Sequence, residues 1–253
     1  MIKSIVRKLE AGGPGMLGRM VVAILNTLSS FVNRLIDFGA RVVLNPLNNY
    51  RNRNRHDRRL EIGPGFERIP GYETVNIRWN QQVDYVADAS KRLPFATGTF
   101  EKLYASHVFE HIAWYRLAPV LSDWVRVLKD GGEIDIWVPD GLKIARNFVL
   151  AEDDEANEIS LDGWYRFNDS QDPCLWMNGR TFSYGDGRGT AGDPNWHLTL
   201  FSPRYVRKIM REAGLVDITR LRPEEVRGYD HGWINMGYRG TKPLAGHIAQ
   251  ENG

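Results

Sequence analysis

The chain has 253 residues, 42% hydrophobic and 25% charged, which excludes collagen-like and wholly disordered chains and suits one domain with decorations. Its one cysteine, Cys174, excludes a disulfide framework and a multi-cysteine zinc site, and fits a reducing compartment. The net charge of +2 hides a split: residues 1–59 hold 11 Lys and Arg against three acids, net +8, while the remainder is net −6. A basic arm on an acidic body points to an anionic partner for the arm alone.

Leu17, Val21, Ile24, Leu28, Phe31, Leu35, Phe38 and Val42 recur at helical spacing, with Arg19, Asn26, Asn33, Arg34, Asp37 and Arg41 largely off that stripe. The pattern predicts an amphipathic helix of roughly seven turns. Its uncharged run, Met20 to Asn33, has 14 residues. It spans about 21 Å as a helix, short of the ~30 Å hydrocarbon core. Asn26, Thr27, Ser29 and Ser30 break the apolar run, which argues against a secretory signal. The polar run from Asn48 to His56, after Asn45-Pro46, reads as a linker.

The body then alternates. Strands are expected at 59–62, 73–77, 84–87, 102–105 and 133–138, with helices at 117–128 and 142–150. Residues 152–200 break the rhythm, acidic first and then rich in Gly, Asp and aromatics, as a functional loop or lid would be. A helix at 203–213, stopped by Gly214, leads to a strand at 215–220, and a last strand is expected near 233–239. Alternating strands and helices predict a parallel, doubly wound sheet.

Leu60-Glu61-Ile62-Gly63-Pro64-Gly65 is a strand that ends in an acidic residue before Gly-x-Gly. Such glycines let backbone turn sharply and approach a ligand closely, although the pair alone is a weak signal. Asp88 follows the strand at 84–87, with Leu93-Pro94-Phe95 after it. Next come Ser106-His107-Val108-Phe109-Glu110-His111 and, further on, Arg126-Val127-Leu128-Lys129-Asp130-Gly131-Gly132.

In that order and spacing, residues 60–140 resemble class I S-adenosylmethionine-dependent methyltransferases, most closely the type 11 group and its relatives in bacterial polysaccharide loci. The resemblance covers about a third of the chain and leaves out the arm and most of 152–200. It implies a Rossmann-like, mostly parallel seven-stranded sheet with an N-terminal amphipathic helix and an inserted lid. It divides the chain into an arm with its basic linker (1–57) and a methyltransferase domain (58–253, lid 152–200). The implied cofactor is S-adenosylmethionine. Glu61 would lie under its methionine amino group, and Gly63 and Gly65 would let backbone pass beside it. Asp88 would accept from the adenine amine, the Ala89 N–H would face a ring nitrogen, and Ser106 and His107 would line the cleft near the sulfonium.

Two positions depart from the family pattern. Asn76 stands where an acidic residue usually binds both ribose hydroxyls, and an amide lacks the charge that strengthens that contact. Glu67 stands at the place of the third glycine. Asp88 has a plainer reading as a turn cap, and Glu61 as a surface carboxylate.

Methyl transfer to oxygen calls for a base. His107 and His197 qualify because imidazole titrates near neutrality. Asp140 qualifies by its place at the carboxyl end of a strand. His197 reads equally well as a loop hydrogen-bonding residue. His107-x-x-Glu110-His111 also matches an inverted zinc-peptidase motif. Its position at a strand end and the lack of a marked third ligand argue against it, and no metal is expected. The family resemblance implies instead that Glu110 and His111 are structural, orienting the loop, while His107 faces the substrate. Trp164, Tyr165, Trp176, Tyr184, Trp196, Tyr229 and Trp233 offer faces for a sugar or the core of a small cap.

The expected function is methylation of a glycan, glycolipid or related small molecule, at oxygen, in the cytoplasm. The alternative is a non-catalytic methyltransferase-fold scaffold or regulator tethered by its arm. Residues 15–59 would meet an anionic membrane surface, where Arg51, Arg53, Arg55, Arg58 and Arg59 contribute about 1 kcal/mol each, or the protein's own body, or a second subunit. The acidic body disfavours nucleic acid.

Overall fold

The computed structural model describes residues 16–245 except 66, 165, 166, 184, 186, 188 and 229. Tyr165, Tyr184 and Tyr229 therefore lie outside the described residues. A seven-stranded sheet has the order β3-β2-β1-β4-β5-β7-β6. Its strands are β1 (Arg59–Ile62), β2 (Glu73–Asn76), β3 (Tyr85–Val86), β4 (Phe100–Ser106), β5 (Leu128–Pro139), β6 (Val216–Arg220) and β7 (Asn235–Thr241). β3, β2, β1, β4 and β5 pair in parallel, and β7 runs antiparallel to both of its neighbours. This is the Rossmann-like methyltransferase fold. The order reverses between β1 and β4, so the crevice beyond their carboxyl ends is where such a sheet takes a ligand.

The hydrophobic core lies beneath β1, β4 and β5. Leu60, Ile62, Leu103, Ile134, Ile136 and Val138 are wholly buried against Leu121, Trp124 and Val127 of helix α3 (Leu117–Val127). Helix α6 (Pro203–Glu212), capped by Ser202, adds Val206, Ile209 and Met210. The sheet thus rests on a packed, water-free layer that fixes where the strand ends point.

The connections between β1 and β4 differ from the expected alternation, since no helix is seen in them among the described residues. Ten or so residues cannot form a right-handed crossover helix and still reach the next strand. The arm covers this region instead. It is one continuous helical stretch: α1 (Met16–Gly39), a π-helical turn (Ala40–Leu44) and α2 (Asn45–Asn52). Ala40 and Leu44 pack against Val83 and Val86. The Asn45 amide donates to the Val86 carbonyl (3.0 Å) and accepts from its N–H (2.8 Å), closing the free edge of β3 as another strand would.

The polar run expected as a linker is therefore a docked helix. Asn48 donates to the Asp84 carbonyl and Asn52 to Glu73. Arg58, expected at an anionic surface, is buried instead, with two hydrogen bonds to Glu73 at 2.8 and 2.9 Å. The Tyr85 hydroxyl donates to the same carboxylate at 2.7 Å. Each member of the network supplies what the next one lacks, so the charges are paired away from water.

The apolar stripe of α1 has no cover from the body: Ile24, Leu28, Phe31, Leu35 and Phe38 are all exposed, Phe31 by 59%. The stretch Met20–Asn52 is long and apolar enough to cross a membrane by length and composition alone, which is weak evidence. Its last turns are fixed on the body.

The segment 152–200 is only partly irregular. It contains α5 (Pro173–Phe182), started by Asp172, whose carboxylate accepts from the Leu175 N–H at 2.9 Å. Helix α4 (Gly141–Glu152) and α5 enclose a second small core of Ile144, Ile159, Trp176 and Ile234. Trp176, offered as a sugar platform, is wholly buried there and stacks at 6.2 Å with Trp233, so this pair is core of the cap.

Candidate active site

Gly63 and His107 each stand one residue beyond a carboxyl end, Gly63 after β1 and His107 after β4. The Gly63 N–H donates to the Val75 carbonyl and the His107 N–H to the Trp137 carbonyl, both at 2.9 Å. Gly63 has φ +70°, and a Cβ there would lie 2.3 Å from Val108 Cγ2. Glycine is thus required by conformation and by the close approach of the loop after β4. Gly65 meets nothing within 4 Å, so the space beside it is open.

A cavity of about 650 Å³ opens here, bounded by Glu61, Gly63, Gly65 and Glu67 on one side and by Ser106, His107, Glu110, His111, Arg180, His197 and His231 on the other. Four of the chain's six histidines converge on it. Glu61 is buried and accepts from the Ile69 N–H at 3.1 Å. Burial pushes its pKa up, against the opposing pull of that hydrogen bond and of Arg68.

Glu110 is 1% exposed. Its Oε1 lies 3.0 Å from His107 Nδ1, and neither carboxylate oxygen has a hydrogen bond of normal geometry. Burial alone would raise its pKa, but the charge and hydrogen-bonding of His107, with His111 and His197, push it down to about 2. The other nitrogen of His107 is 2.7 Å from Asn235 Oδ1. Asn235 donates through Nδ2 to Asp230, which fixes its carbonyl toward the ring and makes His107 Nε2 a donor. His107 is held at φ +53°, the left-handed region that favours glycine. His231 stacks on it at 3.6 Å. Burial and the nearby His107 push His231 down to about 4.

His197 arrives from the lid, 87 residues after Glu110, because the lid is tied down on both sides. Its N–H donates to the Phe182 carbonyl and its Nδ1 to the Arg180 carbonyl at 3.2 Å, both at the end of α5. The next two N–H groups, of Leu198 and Thr199, donate to the Glu110 carbonyl, and the Thr199 hydroxyl to the Ile112 carbonyl. His111 Nδ1 donates to the Trp196 carbonyl at 3.1 Å. Burial lowers the pKa of His197.

Of the residues expected from sequence, the structure gathers Glu61, Gly63, Gly65, Ser106, His107 and His197 around one cavity. Asn76, Asp88 and Ala89 lie outside its lining. Asp88 acts as the turn cap: Oδ1 accepts from the Ser90 N–H and hydroxyl, and Oδ2 is 3.4 Å from Lys91 Nζ. Burial works against the carboxylate, but those partners hold its pKa below the usual range. Asn76 Oδ1 accepts from the Ile77 N–H, and its Nδ2 donates to the Pro64 carbonyl at 3.4 Å. The Ala89 carbonyl accepts from the Trp124 indole. Asp140 starts α4 by accepting from the Leu142 and Lys143 N–H groups. It faces a separate cavity with Lys143, Arg146 and Arg220 and is not brought to the histidines.

Among the lining residues that sequence reasoning gave no chemical role are His111, His231 and Glu110. The signal for the first and last was the His107-x-x-Glu110-His111 spacing itself. The helical peptidase geometry is absent, because Phe109–His111 forms a single 3-10 turn after the strained His107.

The donor set suits the methionine end of S-adenosylmethionine: a buried carboxylate, an open space beside Gly65 and a cavity in the size range of small-molecule sites. Asn76 and Asp88, which the sequence resemblance assigns to the adenosine end, are instead engaged in local hydrogen bonds.

The fold and this crevice place the chain with the Rossmann-like methyltransferase folds. A family model described as "Methyltransferase domain" matches residues 72–136, about a quarter of the chain. The chain resembles class I S-adenosylmethionine-dependent methyltransferases over that segment, and the cofactor this implies is S-adenosylmethionine. The comparison with curated proteins found no match.

Among solved structures, a possible histamine N-methyltransferase of Thermotoga maritima is 17% identical, covering 87% of this chain and 97% of that one, with TM-score 0.41. A SAM-dependent methyltransferase of Archaeoglobus fulgidus is 15% identical, with coverages of 81% and 98% and TM-score 0.41. The CurJ carbon methyltransferase is 14% identical with TM-score 0.42; 75% of this chain matches and spans only 49% of that one. At these TM-scores the likenesses carry no weight for activity or substrate.

Proposed function

We propose that the protein is an S-adenosylmethionine-dependent methyltransferase that methylates a hydroxyl of a glycan, glycolipid or related small molecule. One observation carries this most: Glu61, Gly63 and Gly65 after β1 open onto the same cavity as the histidine cluster after β4. When bound, S-adenosylmethionine supplies a methyl group already activated by its sulfonium. The chain's own work is then to bind, align and exclude water.

Glu61 offsets the charge of the methionine amino group, and the backbone at Gly63–Gly65 lies along the cofactor. Asp88 and Ala89 take the adenine edge and Asn76 one ribose hydroxyl. Ser106 lines the cleft near the methyl group. The lid, through His197, closes the acceptor side. The acceptor's proton passes to the imidazole–carboxylate cluster that includes His107 and His197. Asp140, in its separate cavity, has no route to that proton.

The test is transfer of labelled methyl from S-adenosylmethionine to a panel of bacterial glycans and glycolipids. Transfer that is lost in Asp88→Ala supports the reading. A second reading, a non-catalytic scaffold, is favoured by the internal hydrogen bonds that occupy Asp88 and Asn76. Cofactor binding without transfer to any acceptor of the panel would favour the scaffold.

A further inference from the structure

We propose that Glu110, His111 and His197 form a binding site for a divalent transition-metal ion of the zinc class. A ligand atom of each of the three lies within 4.8 Å of the others. Two histidines and a glutamate are a donor set that zinc enzymes use when they leave a coordination position open.

Three independent features point the same way. The first is tautomer control. Nδ1 of His111 and Nδ1 of His197 each face a backbone carbonyl, of Trp196 and Arg180. A carbonyl only accepts, so Nδ1 carries the proton in both rings and Nε2 is left with its lone pair. Metal-binding histidines are held in this way, with the other ring nitrogen donating to a carbonyl or carboxylate.

The second feature is the carboxylate. Glu110 is buried, yet neither oxygen has a hydrogen bond of normal geometry. The His107 imidazole meets Oε1 at 3.0 Å, which leaves Oε2 as the oxygen without a hydrogen-bond partner among the described residues. A buried carboxylate oxygen with no donor is costly unless a cation takes its place.

The third is anchoring. His197 is not on a free loop; its two neighbours are bonded to the Glu110 carbonyl itself, so lid and turn move together. Ligand atoms on a tetrahedral zinc stand roughly 3.3 Å apart, given bonds of about 2.0–2.1 Å.

His107 is the supporting residue. It ties Glu110 to Asn235 and leaves the cavity face of the cluster open. An ion held there has its free position toward the cavity shared with Gly63 and Gly65. In the methyltransferase reading, and resting on it, that position receives the acceptor oxygen and lowers its pKa. His197 is then a ligand, so the acceptor's proton goes to His107, the other imidazole proposed above to take it.

The experiment uses the full chain, stripped with a chelator and titrated calorimetrically with Zn²⁺, then with Co²⁺ while the visible spectrum is followed. The site predicts one equivalent of Zn²⁺ and ligand-field bands with Co²⁺. Both are lost in Glu110→Gln, His111→Gln and His197→Gln, and both are kept in His56→Ala, an exposed histidine far from the cavity. Far-UV dichroism identifies variants that fail to fold, and any one folded ligand variant suffices.

Absence of binding to the wild type, or binding that survives in a folded ligand variant, overturns the site. S-adenosylhomocysteine binding to the stripped protein is measured in parallel. Its presence without zinc binding overturns the metal site alone, and its absence with zinc binding overturns the methyltransferase reading alone.

Discussion

At the scale of single residues, two glycines two positions apart serve different ends. Gly63 is fixed by its φ of +70° and by Val108, so Gly63→Ala strains the fold itself. Gly65 has open space around the missing Cβ. Gly65→Ala is expected to leave thermal stability within about 0.5 kcal/mol of wild type. It is expected to weaken S-adenosylhomocysteine binding roughly tenfold, about 1.4 kcal/mol. Calorimetric titration beside a denaturation curve checks this, and equal binding would show that no ligand passes there.

Glu73 tests the buried network. Glu73→Ala leaves Arg58 and the Tyr85 hydroxyl without their acceptor. Removing one partner of a buried ion pair costs about 3–5 kcal/mol, read as a lower urea midpoint with an unchanged slope. The sequence marked Arg58 only as one more arginine of a basic cluster. Nothing local distinguished it from Arg55, because its partner lies 15 residues on. The candidate site was legible where backbone motif and chemistry coincide, at Glu61, Gly63, Ser106 and His107. It was hidden at His231, which meets a residue 124 positions away, while at His111 the motif spacing was legible but not its partner 85 positions on.

Among the elements, the strands followed their apolar runs closely, with β1 matching residue for residue and the others shifted by a few positions. Two helices escaped the reading. α2 is written largely in asparagine, a poor helix former, and so reads as a linker. It is helical because Asn45, Asn48 and Asn52 meet acceptors on the body. α5 lies in a stretch rich in Gly and Asp, although Asp172-Pro173 gave the start signal. The missing crossovers were visible in the short spacing between β1, β2 and β3.

Asn45 makes the arm part of the sheet. Asn45→Ala leaves both Val86 backbone groups unpaired at the edge of β3. The expected cost is about 1–3 kcal/mol, with faster proteolysis in residues 40–52. Hydrogen exchange should show the Val86 amide losing protection, and unchanged protection would mean that the asparagine does not close the edge.

For the whole molecule, the docked end of the arm and the bare stripe of α1 divide its labour. The first braces β3, and the second leaves Ile24, Leu28, Phe31, Leu35 and Phe38 exposed. We propose an anionic membrane surface or a second subunit for that stripe. A double variant, Phe31→Glu with Leu35→Glu, separates the two outcomes. Loss of co-sedimentation with anionic liposomes identifies the membrane, and a change of mass in light scattering identifies the subunit. If neither changes, the stripe has another role.

The charge split is partly internal to the fold, since Arg58 of the basic segment is paired with Glu73 of the body. The central claim is that the crevice beyond β1 and β4 binds S-adenosylmethionine. The direct measurement is calorimetric titration of the full chain with S-adenosylhomocysteine. The account predicts one equivalent bound, with weaker binding in Asp88→Ala and Glu61→Gln; a folded chain that shows no binding would contradict it.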